Sequence, residues 1–243
     1  MESDDGDLRQ AILRLVKEFP KWGYRKMSVV LKNEGWVVNH KKVHRLWKDM
    51  GLCAERKEVR KHAAGSGANA CNIRRATRRN HVWTLDFIFD STTDGRSLKW
   101  LSVTDEFTRE CLALEVGRTF DHQKVIDVLL ALMTARGKPG FLRSDNGGEF
   151  IAEAVQKMLK NMGSEIVHIE PGSPWQNGYG ESMHAQVRRE MLNCELFESV
   201  QDARRATEKY RRIYNDIRPH GSLGYLTPTA YSATLLAAGT CPA

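Results

Sequence analysis

The sequence contains no long apolar run. No stretch approaches the roughly 20 consecutive apolar residues that a membrane-spanning helix requires. The first seven residues are acidic, whereas a secretory signal begins with basic residues and continues into an apolar segment. We therefore expect a cytoplasmic protein.

Paired cysteines are also missing. The five cysteines are odd in number and widely scattered, and no two of them form a Cys-x-x-Cys pair. This spacing favours neither a disulfide framework nor a structural zinc site, so we expect reduced thiols that are mostly buried. The cysteines are Cys53, Cys71, Cys111, Cys194 and Cys241.

Positive charge is in excess, with 37 Lys and Arg residues against 30 Asp and Glu residues and a formal net charge of +7. Such a chain favours a polyanionic partner, because each phosphate that a Lys or Arg neutralises releases condensed counterions. Charge alone does not distinguish nucleic acid from an anionic membrane. The length of 243 residues suggests two domains.

Residues 1–53 are predicted to form a small helical domain that resembles a helix-turn-helix and binds DNA. Breakers at Pro20, Gly23 and Gly35 separate three apolar-periodic segments. Asn39 is a good N-cap for the third segment. The buried stripe of that segment comprises Val43, Leu46, Trp47 and Met50.

Basic residues lie outside this stripe, although surface helices commonly carry such residues without binding DNA. The neighbouring segment 54–80 favours the DNA-binding interpretation, because it has few large apolar residues, two glycines and eight basic residues against two acidic ones. We interpret it as a basic linker. The residues predicted to contact DNA in the two segments are Lys41, Lys42, Arg45, Arg74, Arg75, Arg78 and Arg79.

Residues 81–236 are predicted to form a second, α/β domain, which a tail at 237–243 follows. Strands are expected at 82–90, 98–104, 111–116, 140–144 and 165–169, and a helix with the stripe Val125, Val128, Leu129 and Leu132 at 122–136. A helix is also expected before the last strand, a mobile loop at 171–179, and helices near 181–193 and 200–214. This order is typical of a ribonuclease H-like core with a five-stranded mixed sheet and helices on both faces.

In the first strand, side chains alternate between two faces. Trp83, Leu85, Phe87 and Phe89 share one face, and Thr84, Asp86, Ile88 and Asp90 share the other. Asp86 thus lies in a strongly apolar strand, where an unpaired charge is costly. It needs a partner or a metal ion unless its face is exposed to water.

Two further acids have informative positions. Asp145 ends a strand just before a Gly-Gly turn, where open α/β sheets place ligand chemistry, and Glu181 begins a helix after a flexible loop. Each also has an ordinary explanation, Asp145 as a turn residue and Glu181 as an acid favoured by the helix dipole. The order of the elements can bring both together with Asp86. Such hard oxygen ligands indicate Mg²⁺ or Mn²⁺.

The helix after Glu181 is predicted to bury Met183, Val187 and Met191. Glu181 and Arg188, seven residues apart, share the opposite side. In that position Glu181 can reach a metal ion while Arg188 contacts a phosphate. Arg188 can equally be an ordinary solvated arginine.

Several segments resemble the DDE transposases of bacterial insertion sequences, in particular the second-reading-frame type with a core similar to retroviral integrases. They are Trp-Thr-Leu-Asp-Phe (83–87), Phe-Thr-Arg-Glu-Cys (107–111), Ser-Asp-Asn-Gly-Gly-Glu-Phe (144–150), Ser-Pro-Trp-Gln-Asn-Gly-Tyr-Gly-Glu-Ser (173–182) and Tyr-Asn-Asp-Ile-Arg-Pro-His-Gly-Ser-Leu-Gly (214–224). Thirty-five residues separate Asp145 from Glu181. This spacing gives the D,D(35)E group its name, and the resemblance covers nearly the whole chain.

The resemblance implies that Asp86, Asp145 and Glu181 are catalytic and hold two Mg²⁺ or Mn²⁺ ions, with Arg188 as the family's basic residue. It implies double-stranded DNA as partner, both the terminal inverted repeats of the element and the target. It also implies a homo-multimer on DNA and an association with an upstream-frame helix-turn-helix product. His184 departs from the family, which commonly has asparagine there.

The expected function is therefore metal-dependent DNA cleavage and strand transfer of an insertion element. One alternative is a truncated, non-catalytic DNA-binding protein that occupies element ends and regulates transposition. Another is a ribonuclease that acts on RNA–DNA hybrids, which would share the fold and the metal ions. The basic helical segment and the 35-residue spacing favour the transposase over the ribonuclease.

Overall fold

The computed structural model describes residues 5–52, 75–144, 153–168 and 178–239. Asp145, Arg74 and most of the predicted linker lie outside these ranges, as do Cys53, Cys71 and Cys241. The chain divides into two compact units. One contains the N-terminal helices, and the other contains the sheet.

The helical unit contains α1 (Asp5–Glu18), α2 (Tyr24–Asn33) and α3 (His40–Asp49). Asn39 is the N-cap of α3, as predicted, and its side-chain oxygen accepts a hydrogen bond from the Lys41 amide at 2.9 Å. Each helix buries one apolar stripe, and the stacked rings of Phe19 and Trp22 extend this core. The stripes comprise Leu8, Ile12 and Leu15 in α1, Met27 and Leu31 in α2, and Val43, Leu46 and Trp47 in α3.

A segment from near the C-terminus completes the helical unit. Ile217–Thr227 cluster with the N-terminal helices. The predicted α/β domain at 81–236 includes this segment, whereas in the structure the segment belongs to the helical unit. Within that unit, a hydrogen bond between Arg25 and Tyr225 links α2 to the segment.

The second unit is built on a five-stranded mixed sheet. Its strands are β1 (Val82–Ser91), β2 (Ser97–Asp105), β3 (Cys111–Gly117), β4 (Phe141–Ser144) and β5 (Glu165–His168), in the spatial order β3-β2-β1-β4-β5. The first three strands form an antiparallel meander, β4 pairs in parallel with β1, and β5 pairs in parallel with β4. β1 is therefore the central strand.

Helices cover both faces of this sheet. They are α4 (His122–Arg136) and α5 (Glu153–Met162) on one face, and α6 (Gly178–Val187) and α7 (Val200–Arg212) on the other. A last helix, α8 (Pro228–Ala237), contacts the loop after β2 through the rings of Tyr231 and Phe107. A π-helical turn continues α6 through Arg188–Leu192, and another continues α7 through Ile213–Ile217. The predicted order of strands and helices is confirmed, with α8 as an additional element.

The sheet separates two apolar cores. On one face, Trp83, Leu85 and Phe87 pack with residues of α4 and α5. On the other face, Ile88 and Trp100 pack with residues of α6 and α7. The alternation predicted for β1 thus assigns Asp86, which shares the face of Ile88, to the side that α6 covers.

Several details differ from the sequence-based expectations. Met50, predicted to lie in the buried stripe of the third helical segment, is only partly buried and follows the end of α3. α4 buries Ile126 and Met133, whereas the predicted Val128 and Leu132 are only partly buried. Phe89 shares the face of Trp83, Leu85 and Phe87 but is 58% exposed, and the ammonium group of Lys99, its neighbour across the strand pair, lies 5.4 Å from its ring centroid. Cys111 is buried as expected, but Cys194 is exposed. Finally, Gly178 and Tyr179 begin α6 instead of ending a loop, and 171–177 lie outside the described residues.

Among the helices in the described ranges, none is both long and apolar enough to cross a membrane.

Candidate active site

Asp86 lies in the middle of the central strand, with a side chain that is 14% exposed. Its Oδ1 accepts a hydrogen bond from the Phe87 amide at 2.8 Å. Its Oδ2 lies 3.4 Å from Nε2 of His184, a residue of α6. The carboxylate is thus held at the surface between β1 and α6.

One stripe of α6 runs along β1. Glu181, His184 and Arg188 are spaced i, i+3 and i+7, so they share one side of the helix. His184 contacts Asp86, and Arg188 Nη2 donates to the carbonyl oxygen of Phe89 at 3.0 Å. Glu181 is exposed and lies one helical turn before the residue that contacts Asp86. The helix therefore brings Glu181 to the region of Asp86.

The opposite side of α6 fixes this orientation. Met183, Val187 and Met191 are buried in the core on this face, as predicted. A rotation of the helix that moved Glu181 away from β1 would also expose these apolar side chains, which makes it unfavourable. Glu181 and Arg188 are both exposed, as the sequence pattern indicated.

Asp145 lies outside the described residues, but the strand that leads to it does not. β4 ends at Ser144 and runs parallel to β1, with Arg143 opposite Thr84. Both of these residues are buried. The elements that precede Asp86 and Asp145 in the chain are therefore neighbours in the sheet.

A buried polar network joins these two strands. Glu106 Oε1 accepts hydrogen bonds from Thr84 Oγ1 at 2.6 Å and from Arg143 Nε at 2.7 Å. Burial raises the pKa of Glu106 above its ordinary value, although its contacts with Thr84 and Arg143 act in the opposite direction. The network fixes β1, β4 and the start of the loop after β2 to one another.

That loop, residues 106–110, joins β2 to β3 and also reaches α6. The guanidinium carbon of Arg109 lies 3.9 Å from the ring centroid of Tyr179, in the first turn of α6. Phe-Thr-Arg at 107–109 belongs to a segment that resembles the DDE transposases, but no local pattern in the sequence indicates its role. His184 was noted only as a departure from the family, although its spacing of three from Glu181 places it on the same side of the helix.

The basic residues predicted to contact DNA have different surroundings. Lys41 is exposed, as are Arg75 and Arg78, and Arg79 is half-buried. Lys42 Nζ and Arg45 Nη2 form ion pairs with Asp5 at 2.9 and 2.8 Å. Part of the positive charge of α3 is therefore neutralised within the helical unit.

These ion pairs predict that Asp5→Asn raises the affinity for duplex DNA. The substitution releases Lys42 and Arg45 to contact phosphates, and we expect a roughly two- to tenfold lower Kd at low salt. The gain should shrink as salt increases, because exposed charges are then screened. Fluorescence anisotropy with a labelled duplex over a salt series measures it.

Asp7→Asn is the matched control for this measurement. Asp7 also lies in the first turn of α1, and the described part of the chain offers it no ion-pair partner. The net charge changes equally in the two variants. Equal gains in affinity would show that net charge, and not the release of Lys42 and Arg45, is responsible.

The donor chemistry of the site suits a hard divalent cation. Asp86 and Glu181 offer carboxylate oxygens, the ligands that Mg²⁺ and Mn²⁺ prefer. Within the described ranges no group of three or more potential metal ligands occurs, and Asp145, the third predicted ligand, is not among the described residues. The residues present fit such an ion.

The central strand carries one acid, and the helix packed next to it carries a second. Together with the strand order, these two acids define a ribonuclease H-like catalytic core. Solved structures agree on the fold. The catalytic core of HTLV-2 integrase is 16% identical, with a TM-score of 0.50 over 63% of this chain and 97% of that one. A chain of the simian T-cell lymphotropic virus intasome is 14% identical, with a TM-score of 0.58 over 91% of this chain and 74% of that one.

Family models match nearly the whole chain. Two models described as integrase core domain match residues 76–174 and 162–228, and one described as HTH-like domain matches residues 2–60. These matches support the predicted helix-turn-helix-like segment and the integrase-like core.

The relatives are proteins of bacterial insertion elements. A 31.7 kDa protein of IS407 from Burkholderia multivorans is 32% identical over 97% of this chain and 84% of its own length. A 39.2 kDa protein of IS476 from Xanthomonas euvesicatoria is 34% identical over 93% of this chain, which spans 64% of that protein. Transposase InsD of IS2 from Escherichia coli is 25% identical over 94% of this chain and 79% of InsD.

The chain belongs to the family of insertion-element transposases with an integrase core. The predicted resemblance and fold class are thereby confirmed. The class of enzyme is that of the DDE-type polynucleotidyl transferases.

Proposed function

We propose that this chain cuts DNA at the ends of an insertion element and joins the freed ends to target DNA, with Asp86, Asp145 and Glu181 as the catalytic carboxylates. The observation that carries the proposal is the contact between His184 and Asp86. It brings the helix that bears Glu181 onto the strand that bears Asp86. In the sequence, Asp86 follows Thr84 by two residues, and Asp145 follows Arg143 by two residues. Thr84 and Arg143 lie opposite each other on neighbouring strands.

The three carboxylates would hold two Mg²⁺ or Mn²⁺ ions. The HTLV-2 integrase core, which shares the fold, was solved in complex with magnesium. When bound, two such ions activate an oxygen nucleophile and stabilise the leaving oxygen of an in-line displacement at phosphorus. Asp86 Oδ1 accepts a hydrogen bond from the Phe87 amide, while Oδ2 lies next to His184 of α6.

The protein's own residues would supply orientation and charge. Arg188 lies one heptad after Glu181 on the same side of α6, where its remaining guanidinium donors can contact a phosphate of bound DNA. Hydrolysis and strand transfer can use one site, because water and a 3′-hydroxyl both present an oxygen to a phosphodiester. No covalent intermediate on the protein is required.

The partner of this site would be double-stranded DNA, first the terminal inverted repeats of the element and then the target. The HTH-like segment and the basic residues around it would contribute binding. Two element ends must be held together, which favours a homo-multimer. An upstream-frame helix-turn-helix product is a further candidate partner, and the protein would act at the nucleoid.

Strand transfer by Asp145→Asn tests the proposal. The assay uses a duplex that ends in the terminal repeat of the element, a target plasmid and Mn²⁺, with circular dichroism to show that the variant is folded. We expect the wild type to give joined products and the variant to give none. Strand transfer by the folded variant would refute the role of Asp145.

Two further measurements on the wild type separate the alternative functions. Gel-shift binding to the terminal repeat without cleavage by the wild type would favour a regulatory DNA-binding protein. Preferential cleavage of an RNA–DNA hybrid over duplex DNA would favour a ribonuclease.

A further inference from the structure

The loop 106–110 contacts all three elements that carry or lead to the proposed catalytic acids. Glu106 receives hydrogen bonds from Thr84 on β1 and Arg143 on β4, and Arg109 stacks on Tyr179 of α6. These three contacted residues share one property of position. Each precedes a proposed catalytic acid by two residues, namely Asp86, Asp145 and Glu181.

The base of the loop is fixed by Asp105, which is fully buried. Its Oδ1 accepts hydrogen bonds from the amides of Phe107 and Thr108 at 2.9 and 3.1 Å. Its Oδ2 accepts a hydrogen bond from the Asn80 amide at 2.8 Å. The Glu106 amide donates to the carbonyl oxygen of Val82 at 3.0 Å. The loop is therefore anchored to the sheet by its backbone as well as by its side chains.

Arg109 has a backbone conformation that arginine rarely adopts. Its φ is +63°, in the left-handed region, and its amide donates to the carbonyl oxygen of Asp105 at 2.9 Å. Glycine would adopt this conformation without the steric cost that a Cβ brings. The arginine side chain, which lies over the Tyr179 ring, is thus presented by a strained residue, a pattern found at functional sites.

We propose that Arg109 is a positioning residue of the active site. It holds the first turn of α6 through the face of Tyr179, and the loop on which it lies is tied by Glu106 to β1 and β4. Arg109 thereby fixes where Glu181 lies relative to Asp86. The inference rests on the proposed function for its activity readout, but the contact it assigns is independent of that function.

Arg109→Gly tests this role. The variant removes the guanidinium and its stacking on Tyr179, and relief of the strain at φ +63° offsets part of this loss, so its thermal midpoint should stay close to that of the wild type. We expect strand transfer to fall roughly 10- to 100-fold in kcat, because a displacement of about 1 Å at a reacting group has an effect of that size. The KM for DNA should change little.

Amide hydrogen exchange gives a readout that needs neither DNA nor metal. Without the stacking of Arg109, the first turn of α6 should open more often, and exchange in 178–184 should accelerate roughly tenfold. Exchange in α4, which covers the opposite face of the sheet, is the internal control and should not change. A purely structural role would alter stability and exchange throughout the unit.

Tyr179 variants complete the test. Tyr179→Ala should reproduce the effects of Arg109→Gly, and Tyr179→Phe, which keeps the ring face, should restore most of the activity. The double variant Arg109→Gly/Tyr179→Ala should lose no more strand-transfer activity than the more impaired single variant, because both substitutions remove the same contact.

Three results would overturn the inference. They are additive losses in the double variant, exchange in 178–184 within twofold of the wild type for Arg109→Gly, and unaltered strand transfer by that variant. If the wild type itself performs no strand transfer, the proposed function fails. The exchange measurement then still decides whether Arg109 holds α6.

Discussion

Asp86→Asn should abolish DNA strand transfer, with a loss of at least roughly 10³-fold, the scale on which removal of a catalytic group is felt. The amide keeps the shape of the side chain and can still accept the hydrogen bond from the Phe87 amide. It loses the negative charge that strengthens the binding of a divalent cation. Time courses with Mn²⁺ and a terminal-repeat duplex measure the loss, and the Kd for that duplex should stay near the wild-type value.

Asp90→Asn is the matched control for this substitution. Asp90 lies four residues further along β1 on the same face, and its Oδ1 likewise accepts a hydrogen bond from the next amide, that of Ser91 at 2.8 Å. Asp90 has no place in the proposed site, so its variant should keep strand-transfer rates within about threefold. Comparable losses in both variants would show that acids on this strand act through stability or net charge.

Trp100→Ala should destabilise the second unit by about 3–5 kcal/mol. Trp100 is fully buried on β2, packs against Phe197, and donates its indole N–H to Thr207 Oγ1 at 2.8 Å. The substitution leaves a cavity between the sheet and α7 and a buried hydroxyl without this donor. Urea unfolding followed by far-ultraviolet circular dichroism measures the change in the free energy of unfolding.

Trp100→Phe separates the two contributions. It keeps most of the apolar volume and removes the indole N–H, so we expect a cost of about 1–2 kcal/mol. A cost below about 1 kcal/mol for Trp100→Ala would mean that the core between the sheet and α7 is not packed as described.

The order of elements was predictable because its signals are local. Alternation along β1 assigned Asp86 and Ile88 to one face, and the i, i+4, i+8 spacing of Met183, Val187 and Met191 oriented α6. Asn39 was recognisable as an N-cap from its residue type and position. Each of these inferences needs only residues that are neighbours in one helix or strand.

The contacts around the site were not predictable in the same way. The network of Glu106 with Thr84 and Arg143 joins residues separated by 22 and 37 positions, and no local pattern indicates it. The stacking of Arg109 on Tyr179 likewise depends on how the loop is folded. The exposure of Phe89 was not predictable either, because alternation records only which face a residue shares and does not record where the covering layer ends.

The clustering of Ile217–Thr227 with the N-terminal helices has a practical consequence for cutting the chain into fragments. The polypeptide passes between the two units three times, because it leaves the sheet-containing unit after Asp216 and re-enters it at Pro228. A fragment that starts at residue 81 would therefore keep Ile217–Thr227 but lose the helices with which they cluster. A catalytic fragment that keeps the native fold would need Ile217–Thr227 replaced by a short polar connection. No single break in the chain yields two intact units.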